Sequence, residues 1–247
     1  MTFRIGNNTV ISYKGTDGSY IGWIENFRLS YKFPTYTQVL ALKYFKDNTT
    51  FFDKNIYLTG HSKGGNLALY SLYESNNSLY NRINKVLNFD GPGFRHDEFI
   101  SEKYNERSSK IVNYIPTGSI VGVLMENNKY NVVKSSEIAW MEHDPTTWEL
   151  FGEFFIEGKL SSASKKIHTA STVNTRKLDY EKVENAFEKL YPTLGKKYDS
   201  DFKLNHNDFM NFYKNMKNID PEIAEYLKTI FNSVLQFNKE NKKKIDN

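Results

Sequence analysis

The chain has 247 residues, of which 39% are hydrophobic and 15% aromatic, and its formal net charge is +4. It contains no cysteine, which excludes disulfides, thiolate metal sites and a cysteine nucleophile. No run of about 18 apolar residues is present, so no membrane span is predicted, and the lack of a signal-peptide pattern at the N-terminus predicts a cytoplasmic protein.

Two short strands are predicted first, over residues 3–5 and 9–13, and the Gly6-Asn7-Asn8 between them is typical of a hairpin turn. Apolar spacing then predicts helices over residues 19–31 and 35–47. Aromatic residues are frequent in and after the first helix, which suits either a lid or acyl-binding wall or, more commonly, a helix packed on the sheet. These residues are Tyr20, Trp23, Phe27, Tyr31 and Phe33.

The sequence Gly60-His61-Ser62-Lys63-Gly64-Gly65 follows a predicted strand over residues 56–59 and precedes a predicted helix over residues 63–74. A G-x-S-x-G pattern between a strand and a helix is typical of a nucleophile elbow, which holds the serine hydroxyl above the edge of the sheet. We therefore predict Ser62 as a nucleophile. The first N–H groups of a helix carry partial positive charge, so the backbone N–H of Lys63 is predicted as one donor of an oxyanion hole.

Three more strands are predicted over residues 85–89, 110–115 and 130–134. The alternation of strands and helices predicts an α/β fold, a mostly parallel sheet with flanking helices. Because the carboxyl ends of parallel strands meet at one edge, the turns after residues 13, 59, 89 and 115 and the segment near residue 143 are expected to converge there.

From about residue 175, apolar residues recur at helical spacing in stripes over residues 183–190, 209–216 and 223–234. We predict two parts, a core over residues 1–174 and a helical C-terminal extension over residues 175–247 that packs on it. The lysines of the basic tail, residues 238–247, are interpreted as a solvated end of the chain. No nucleic-acid partner is therefore expected.

A serine nucleophile needs a base and a third group that orients the base. Of the five histidines, His143 is predicted as the base because it lies in a late loop that follows the last predicted strand. The side chain of His61, which lies inside the elbow, is expected to point away from Ser62.

Asp90 is the predicted acid, because it ends the strand that follows the elbow helix. An aspartate before Gly91-Pro92-Gly93 also suits a simple turn. Asp144 is a weaker candidate because neighbours in sequence rarely orient each other's rings. The turn at Gly15-Thr16-Asp17 is predicted to supply the second oxyanion donor, with the Thr16 hydroxyl in addition.

Several ordered motifs within residues 3–150 resemble those of a known family. Residues 13–17 and 23–27 resemble the fungal triacylglycerol lipases, and residues 59–68, 89–94, 115–122 and 143–145 resemble the Mbeg-like family of bacterial lipase-like α/β-hydrolases. The resemblance implies an α/β-hydrolase-type sheet. It also implies Ser62 as nucleophile, His143 as base, and Thr16 with Lys63 at the oxyanion hole.

The chain departs from this pattern in two places. In the lipases the acid follows the strand that corresponds to residues 110–115, where this chain has Ser119. Either Asp90 takes that role from the neighbouring strand or catalysis is weak. Members of the family also carry a further segment before the first hairpin, so we expect an exposed sheet edge or apolar patch that a partner chain or oligomer can cover.

The sequence thus predicts a serine hydrolase that cleaves carboxylic esters, of lipids or similar acyl compounds, through an acyl-enzyme formed by Ser62, His143 and Asp90. The expected substrate is a small-molecule or lipid ester, and neither a metal nor an organic cofactor is needed. The alternative is a catalytically weak or inactive α/β-hydrolase fold that binds a ligand or a protein, because a fold does not guarantee its chemistry.

Overall fold

The computed structural model describes residues 1–17, 19–176, 179–194, 206–230 and 232. Its central sheet has six strands that lie side by side in chain order. They are β1 (Thr2–Ile5), β2 (Asn8–Tyr13), β3 (Asn55–His61), β4 (Ile83–Phe89), β5 (Ile111–Pro116) and β6 (Tyr130–Val133). The β1–β2 pair is antiparallel and every other pair is parallel, which confirms the predicted mostly parallel sheet.

Helices connect and flank these strands. They are α1 (Tyr20–Arg28), α2 (Tyr36–Asp47), α3 (Lys63–Tyr73), α4 (Asn77–Tyr80), α5 (His96–Phe99), α6 (Glu102–Arg107), α7 (Ser162–Thr175), α8 (Tyr180–Leu190), α9 (His206–Asn215) and α10 (221–230). The start of α2 is a capping box, in which Thr35 accepts from the Gln38 N–H and Gln38 Oε1 accepts from the Thr35 N–H. No helix in the described ranges is both long and apolar enough to cross a membrane.

The main core lies between one face of the sheet and the helices α2 and α3. Alternate residues of β2, β3 and β4 point into it, as the two-residue repeat of a strand requires. Its most deeply buried members include Ile11, Phe45, Ile56, Leu58, Ala68, Leu69, Leu72 and Val86. This packing fixes α3 against the sheet, and α3 begins directly after Ser62.

A second core joins the C-terminal helices to α1. It contains Tyr20, Tyr31, Val183, Phe187, Leu190, Phe212, Met216 and Ile223. The Phe27 ring stacks on Phe187 and Phe212, with ring centroids 5.3 and 5.4 Å apart. Tyr20 and Phe27 of α1 therefore pack on the C-terminal helices. They do not pack on the sheet, as was expected, because the apolar stripes of those helices also have to be buried.

Parts of the predicted C-terminal extension fall outside the described residues. These are residues 177–178 and 195–205, position 231 and the end of the third stripe beyond residue 232, and the whole basic tail, residues 238–247. Within the described part, the stripe over residues 183–190 is buried as predicted, through Val183, Ala186, Phe187 and Leu190.

A small hairpin follows the main sheet and was not predicted. Its strands are β7 (Leu150–Phe151) and β8 (Phe154–Phe155), which pair in antiparallel fashion. The Phe155 ring packs against Tyr114 and Trp148, with ring centroids 5.2 and 5.6 Å apart. The hairpin is thereby anchored near the carboxyl ends of β4 and β5, while Phe151 and Phe154 stay exposed.

Candidate active site

Ser62 occupies a strained turn between β3 and α3. Its backbone has φ 57° and ψ −130°, a region that costs a non-glycine residue about 1–3 kcal/mol. The turn is tight because strand and helix approach closely: a Cβ on Gly60 would lie 2.2 Å from the carbonyl carbon of Gly64. The surrounding fold therefore holds a strained serine at the carboxyl edge of the sheet, as the motif predicts.

Asp90 lies one strand away, directly after β4, and its carboxylate is fully buried. One oxygen, Oδ1, accepts hydrogen bonds from the Gly122 N–H at 3.0 Å and from the Ser119 hydroxyl. The other, Oδ2, lies 2.7 Å from Nδ1 of His143. A buried carboxylate needs such partners to offset its lost hydration, and here one of them is the imidazole of the predicted base.

His143 ends a 3-10 segment, Ala139–His143, in the loop after β6. Two hydrogen bonds of Glu142 fix the loop. The Glu142 carbonyl accepts from the Trp148 indole N–H at 2.8 Å, and the Glu142 carboxylate accepts from the Gly118 N–H at 2.7 Å. Because a carboxylate only accepts, Nδ1 of His143 carries the hydrogen. Nε2 is therefore the ring nitrogen left for proton transfer.

Asp144 does not share this role. Its side chain accepts from the backbone N–H and the hydroxyl of Thr146, at 2.9 and 2.8 Å, and thereby caps the 3-10 turn Pro145–Thr147. These two hydrogen bonds hold the pKa of Asp144 below its usual value.

Ser62 and His143 are not joined by a hydrogen bond within the described part of the chain. The segment of Ser62 and the loop of His143 are connected by His61, the residue before the serine. Its Nε2 lies 2.7 Å from the backbone carbonyl oxygen of His143, and the two imidazole rings have centroids 4.4 Å apart. This contact of His61 was not predicted. Its place in the sequence, directly before the predicted nucleophile, was the signal that could have indicated a role in the site.

The environment of His61 disfavours the charged form of its ring. Burial lowers the pKa of His61, and the positive charge that His143 can carry lowers it further.

The turn after β2 passes directly against the elbow. A Cβ on Gly15 would lie 2.9 Å from the His61 carbonyl oxygen and 3.5 Å from the Ser62 Cβ, so the approach depends on glycine. The hydroxyl of Thr16 donates to Oδ1 of Asn26 in α1 at 2.9 Å. Its hydrogen is therefore committed to Asn26, and the backbone is the part of Thr16 that remains to act as an oxyanion donor.

On the other side of the elbow, Lys63 is the first residue of α3, so its backbone N–H has no partner one turn earlier in the helix. Burial lowers the pKa of its ammonium group, and the carboxylates of Glu25 and Asp17 act in the opposite direction. The predicted oxyanion residues Thr16 and Lys63 thus lie on the two segments that flank Ser62.

His96 and His168 have structural partners. Nδ1 of His96 lies 2.7 Å from the Glu126 carboxylate, which also pairs with Arg176, and Nδ1 of His168 lies 3.0 Å from the Val123 carbonyl oxygen. In the described ranges of the chain, no group of three or more histidine and carboxylate side chains is arranged to hold a metal ion.

A shallow groove of about 480 Å³ runs along α2 beside the end of β2. Its lining has the apolar side chains Tyr13, Leu40, Ala41, Tyr44 and Leu67 and the polar side chains Lys14, Thr37, Lys43 and Asp47. Lys14 directly precedes the turn that holds Thr16, and Leu67 lies in the second turn of α3. The groove therefore borders both segments that flank Ser62.

Comparison with known proteins identified one family. The Mbeg1-like family model matches residues 1–192, a span that begins with β1 and ends just beyond α8. No curated protein and no solved structure was found to match the chain.

Proposed function

The chain belongs to the Mbeg1-like family, and from this premise we propose that it is a serine hydrolase of the lipase-like α/β-hydrolase type, which cleaves carboxylic esters of lipids or similar acyl compounds. The observation that carries the proposal is the 2.7 Å contact between Nδ1 of His143 and the buried carboxylate of Asp90. An acid and a base in this relation, at the edge where a strained serine lies, are the parts that acyl transfer needs.

In the proposed reaction, Ser62 Oγ attacks the ester carbonyl while Nε2 of His143 takes the hydroxyl proton. The backbone N–H groups of Lys63 and of the turn at Thr16 stabilise the oxyanion that forms. His143 then returns its proton to the departing alcohol, and the acyl group remains on Ser62. A water molecule, activated by the same nitrogen, releases the acid and restores the serine.

Asp90 acts through His143 in this scheme. It fixes the Nδ1–H tautomer of the imidazole and stabilises the imidazolium that forms during each step. Its other partners, Ser119 and Gly122, hold the carboxylate still. The acid thus comes from the end of β4, while Ser119 stands at the position where the lipases carry theirs.

The groove along α2 supports an acyl compound as the substrate, because its apolar side chains offer a wall for a hydrocarbon chain beside the elbow. A series of p-nitrophenyl esters with acyl chains of increasing length tests this. We expect kcat/KM to rise from acetate to a medium-length chain. A cytoplasmic location and a partner chain over the N-terminal edge remain predictions from the sequence.

A fluorophosphonate probe, which labels activated serines, tests the proposal as a whole. We expect the wild type to be labelled, Ser62→Ala to lose all labelling, and His143→Ala to lose most of it. Ser78→Ala, which changes an exposed serine, should be labelled like the wild type. Folded wild-type protein that resists the probe and hydrolyses none of the esters would instead support a non-catalytic binding protein.

A further inference from the structure

We propose that His61 is a positioning residue, which ties the loop of the base His143 to the strand that ends at the nucleophile. The inference rests on the proposed hydrolase function. Its basis is the 2.7 Å hydrogen bond between Nε2 of His61 and the backbone carbonyl of His143. His61 is the last residue of β3 and directly precedes Ser62, so this one bond links the base to the nucleophile's own backbone.

The topology explains why such a tie is needed. The loop of His143 follows β6, and two strands, β4 and β5, separate β6 from β3. Two other contacts of the loop are made to the strands nearer to it: Asp90 follows β4, and Gly118, which donates to Glu142, follows β5. Neither of these contacts reaches β3, the strand that ends next to Ser62. In the proposed reaction, His143 takes its proton from the hydroxyl of Ser62.

The chemistry of the bond fixes the state of His61. A carbonyl oxygen only accepts, so Nε2 of His61 must carry the hydrogen. Burial disfavours a second proton on this ring, as does the neighbouring ring of His143, whose centroid is 4.4 Å away. His61 is therefore a donor that holds the base by its backbone carbonyl and leaves the His143 ring nitrogens to Asp90 and Ser62.

Two substitutions separate the hydrogen bond from the ring that makes it. His61→Gln keeps an N–H donor at the position of Nε2, whereas His61→Phe keeps an aromatic ring and removes the donor. His168→Phe is a matched control, because it removes another imidazole contact to a backbone carbonyl, at 3.0 Å from Val123, on α7 and away from Ser62. The melting temperature of each variant confirms that it is folded.

With p-nitrophenyl butyrate as substrate, we expect His61→Phe to lower kcat by about 100-fold, the effect of a misplaced catalytic group, and to change KM less than about twofold. His61→Gln should recover most of this loss, and His168→Phe should match the wild type. A general weakening of the fold would not be repaired by glutamine. Equal kcat in His61→Phe and the wild type would overturn the proposal, as would a His61→Gln variant as slow as His61→Phe.

A measurement by NMR keeps the inference separate from the reaction. The Nδ1–H proton of His143, bonded to Asp90, should exchange slowly with water in the wild type and in His61→Gln, and fast in His61→Phe. Nitrogen shifts of the wild type should place the hydrogen of His61 on Nε2, and a hydrogen on Nδ1 would contradict the proposal without any variant. If the wild type neither hydrolyses esters nor accepts the probe, the hydrolase function fails, and these NMR results alone decide the role of His61.

Discussion

The carboxylate of Asp90 is held by three donors from two segments: His143 in the loop after β6, and Ser119 and Gly122 in the segment after β5. Asp90 itself has a left-handed backbone, with φ 46°, which is uncommon for a residue other than glycine. A turn-forming aspartate would bond to its own turn. The contacts of this carboxylate reach out to the base loop and to the segment after β5 instead.

The first prediction concerns the charge of this carboxylate. Asp90→Asn keeps the shape of the side chain but offers an N–H to the imidazole, which favours the wrong tautomer of His143. We expect kcat to fall by about 10³- to 10⁴-fold, measured as ester hydrolysis at pH 8. Asp144→Asn, which changes a neighbouring carboxylate that caps a turn, should lower kcat less than about threefold. Full turnover by Asp90→Asn would rule out Asp90 as the acid.

The second prediction tests the relation between Asp90 and Ser119. Ser119→Asp places a second carboxylate against the first, and two adjacent carboxylates raise the pKa of one of them. A raised pKa in the folded state costs stability once the pH exceeds the unfolded value of about 4. The melting temperature of Ser119→Asp, relative to the wild type, should therefore be lower at pH 8 than at pH 5.

The control for this experiment is a double variant in which the aspartate and the serine exchange positions. In the double variant Asp90→Ser with Ser119→Asp, only one carboxylate remains, so the extra loss of melting temperature at pH 8 should disappear. If the loss persists in the double variant, repulsion between the two carboxylates is not its cause.

At the scale of single elements, the start of α2 depends on Thr35, whose side chain is fully buried. Thr35→Ala removes the acceptor for the Gln38 N–H and should destabilise the protein by about 1 kcal/mol. Thermal unfolding should show a melting temperature lower by about 2–4 °C. Thr35→Ser keeps the hydroxyl and should lose less than half as much, and equal losses for the two variants would contradict a capping role.

The β1–β2 hairpin depends on Asp53, a buried carboxylate in the loop before β3. Burial alone would raise its pKa. Hydrogen bonds from Thr9, from Thr50 and from the Arg4 guanidinium outweigh this, however, and hold the pKa of Asp53 well below its usual value. A carboxyl whose pKa is lowered on folding stabilises the folded state above about pH 4, and loses that effect as the pH falls towards the folded pKa.

Asp53→Asn should therefore lower the free energy of unfolding at pH 7 by about 2 kcal/mol. The difference from the wild type should shrink as the pH falls below about 4, followed by urea unfolding across this range. Asp47→Asn, in an exposed pair with Lys43, should change the free energy by about 0.5 kcal/mol or less. A deficit in Asp53→Asn that is constant with pH would show that the charge is not responsible.

The strands of the central sheet and the contact between Asp90 and His143 were predictable because they follow from simple patterns. Alternating apolar residues mark the strands, and parallel strands bring the residues after β3 and β4 to one edge, which is why Ser62 and Asp90 were predicted near each other. The hairpin of β7 and β8 was missed because each strand has only two residues, too few to show a period. The role of His61 depends on the path of the loop after β6, which no local pattern specifies.

On the scale of the whole molecule, the C-terminal helices and the elbow are connected through α1. One face of α1 presents Phe27 to Phe187 and Phe212, while Asn26 accepts from the hydroxyl of Thr16 in the oxyanion turn. The C-terminal helices thus support, through α1, the turn at Thr16 that lies against Ser62. A substitution that loosens the packing of the C-terminal helices is therefore expected to affect the turn at Ser62 as well.

Phe187→Ala tests this connection. The ring is 2% exposed, so its removal should lower the free energy of unfolding by about 3–4 kcal/mol and the melting temperature by about 10 °C. Phe151→Ala, at an 81% exposed position, should change stability by about 0.5 kcal/mol or less. Loss of the C-terminal helices in a separate transition, with the melting of the sheet unchanged, would show that the two cores are not coupled.

In the proposed function the acid follows β4 and not β5, the strand after which the lipase pattern has it. A sequence template that requires an aspartate after β5 rejects this chain, which has Ser119 there. The carboxylate of Asp90 nevertheless contacts the imidazole of His143 from the end of β4, the neighbouring strand. A template written as distances between side chains retains the chain. If the proposed function holds, the residue after β4 is the place to look for an acid in relatives that lack the aspartate after β5.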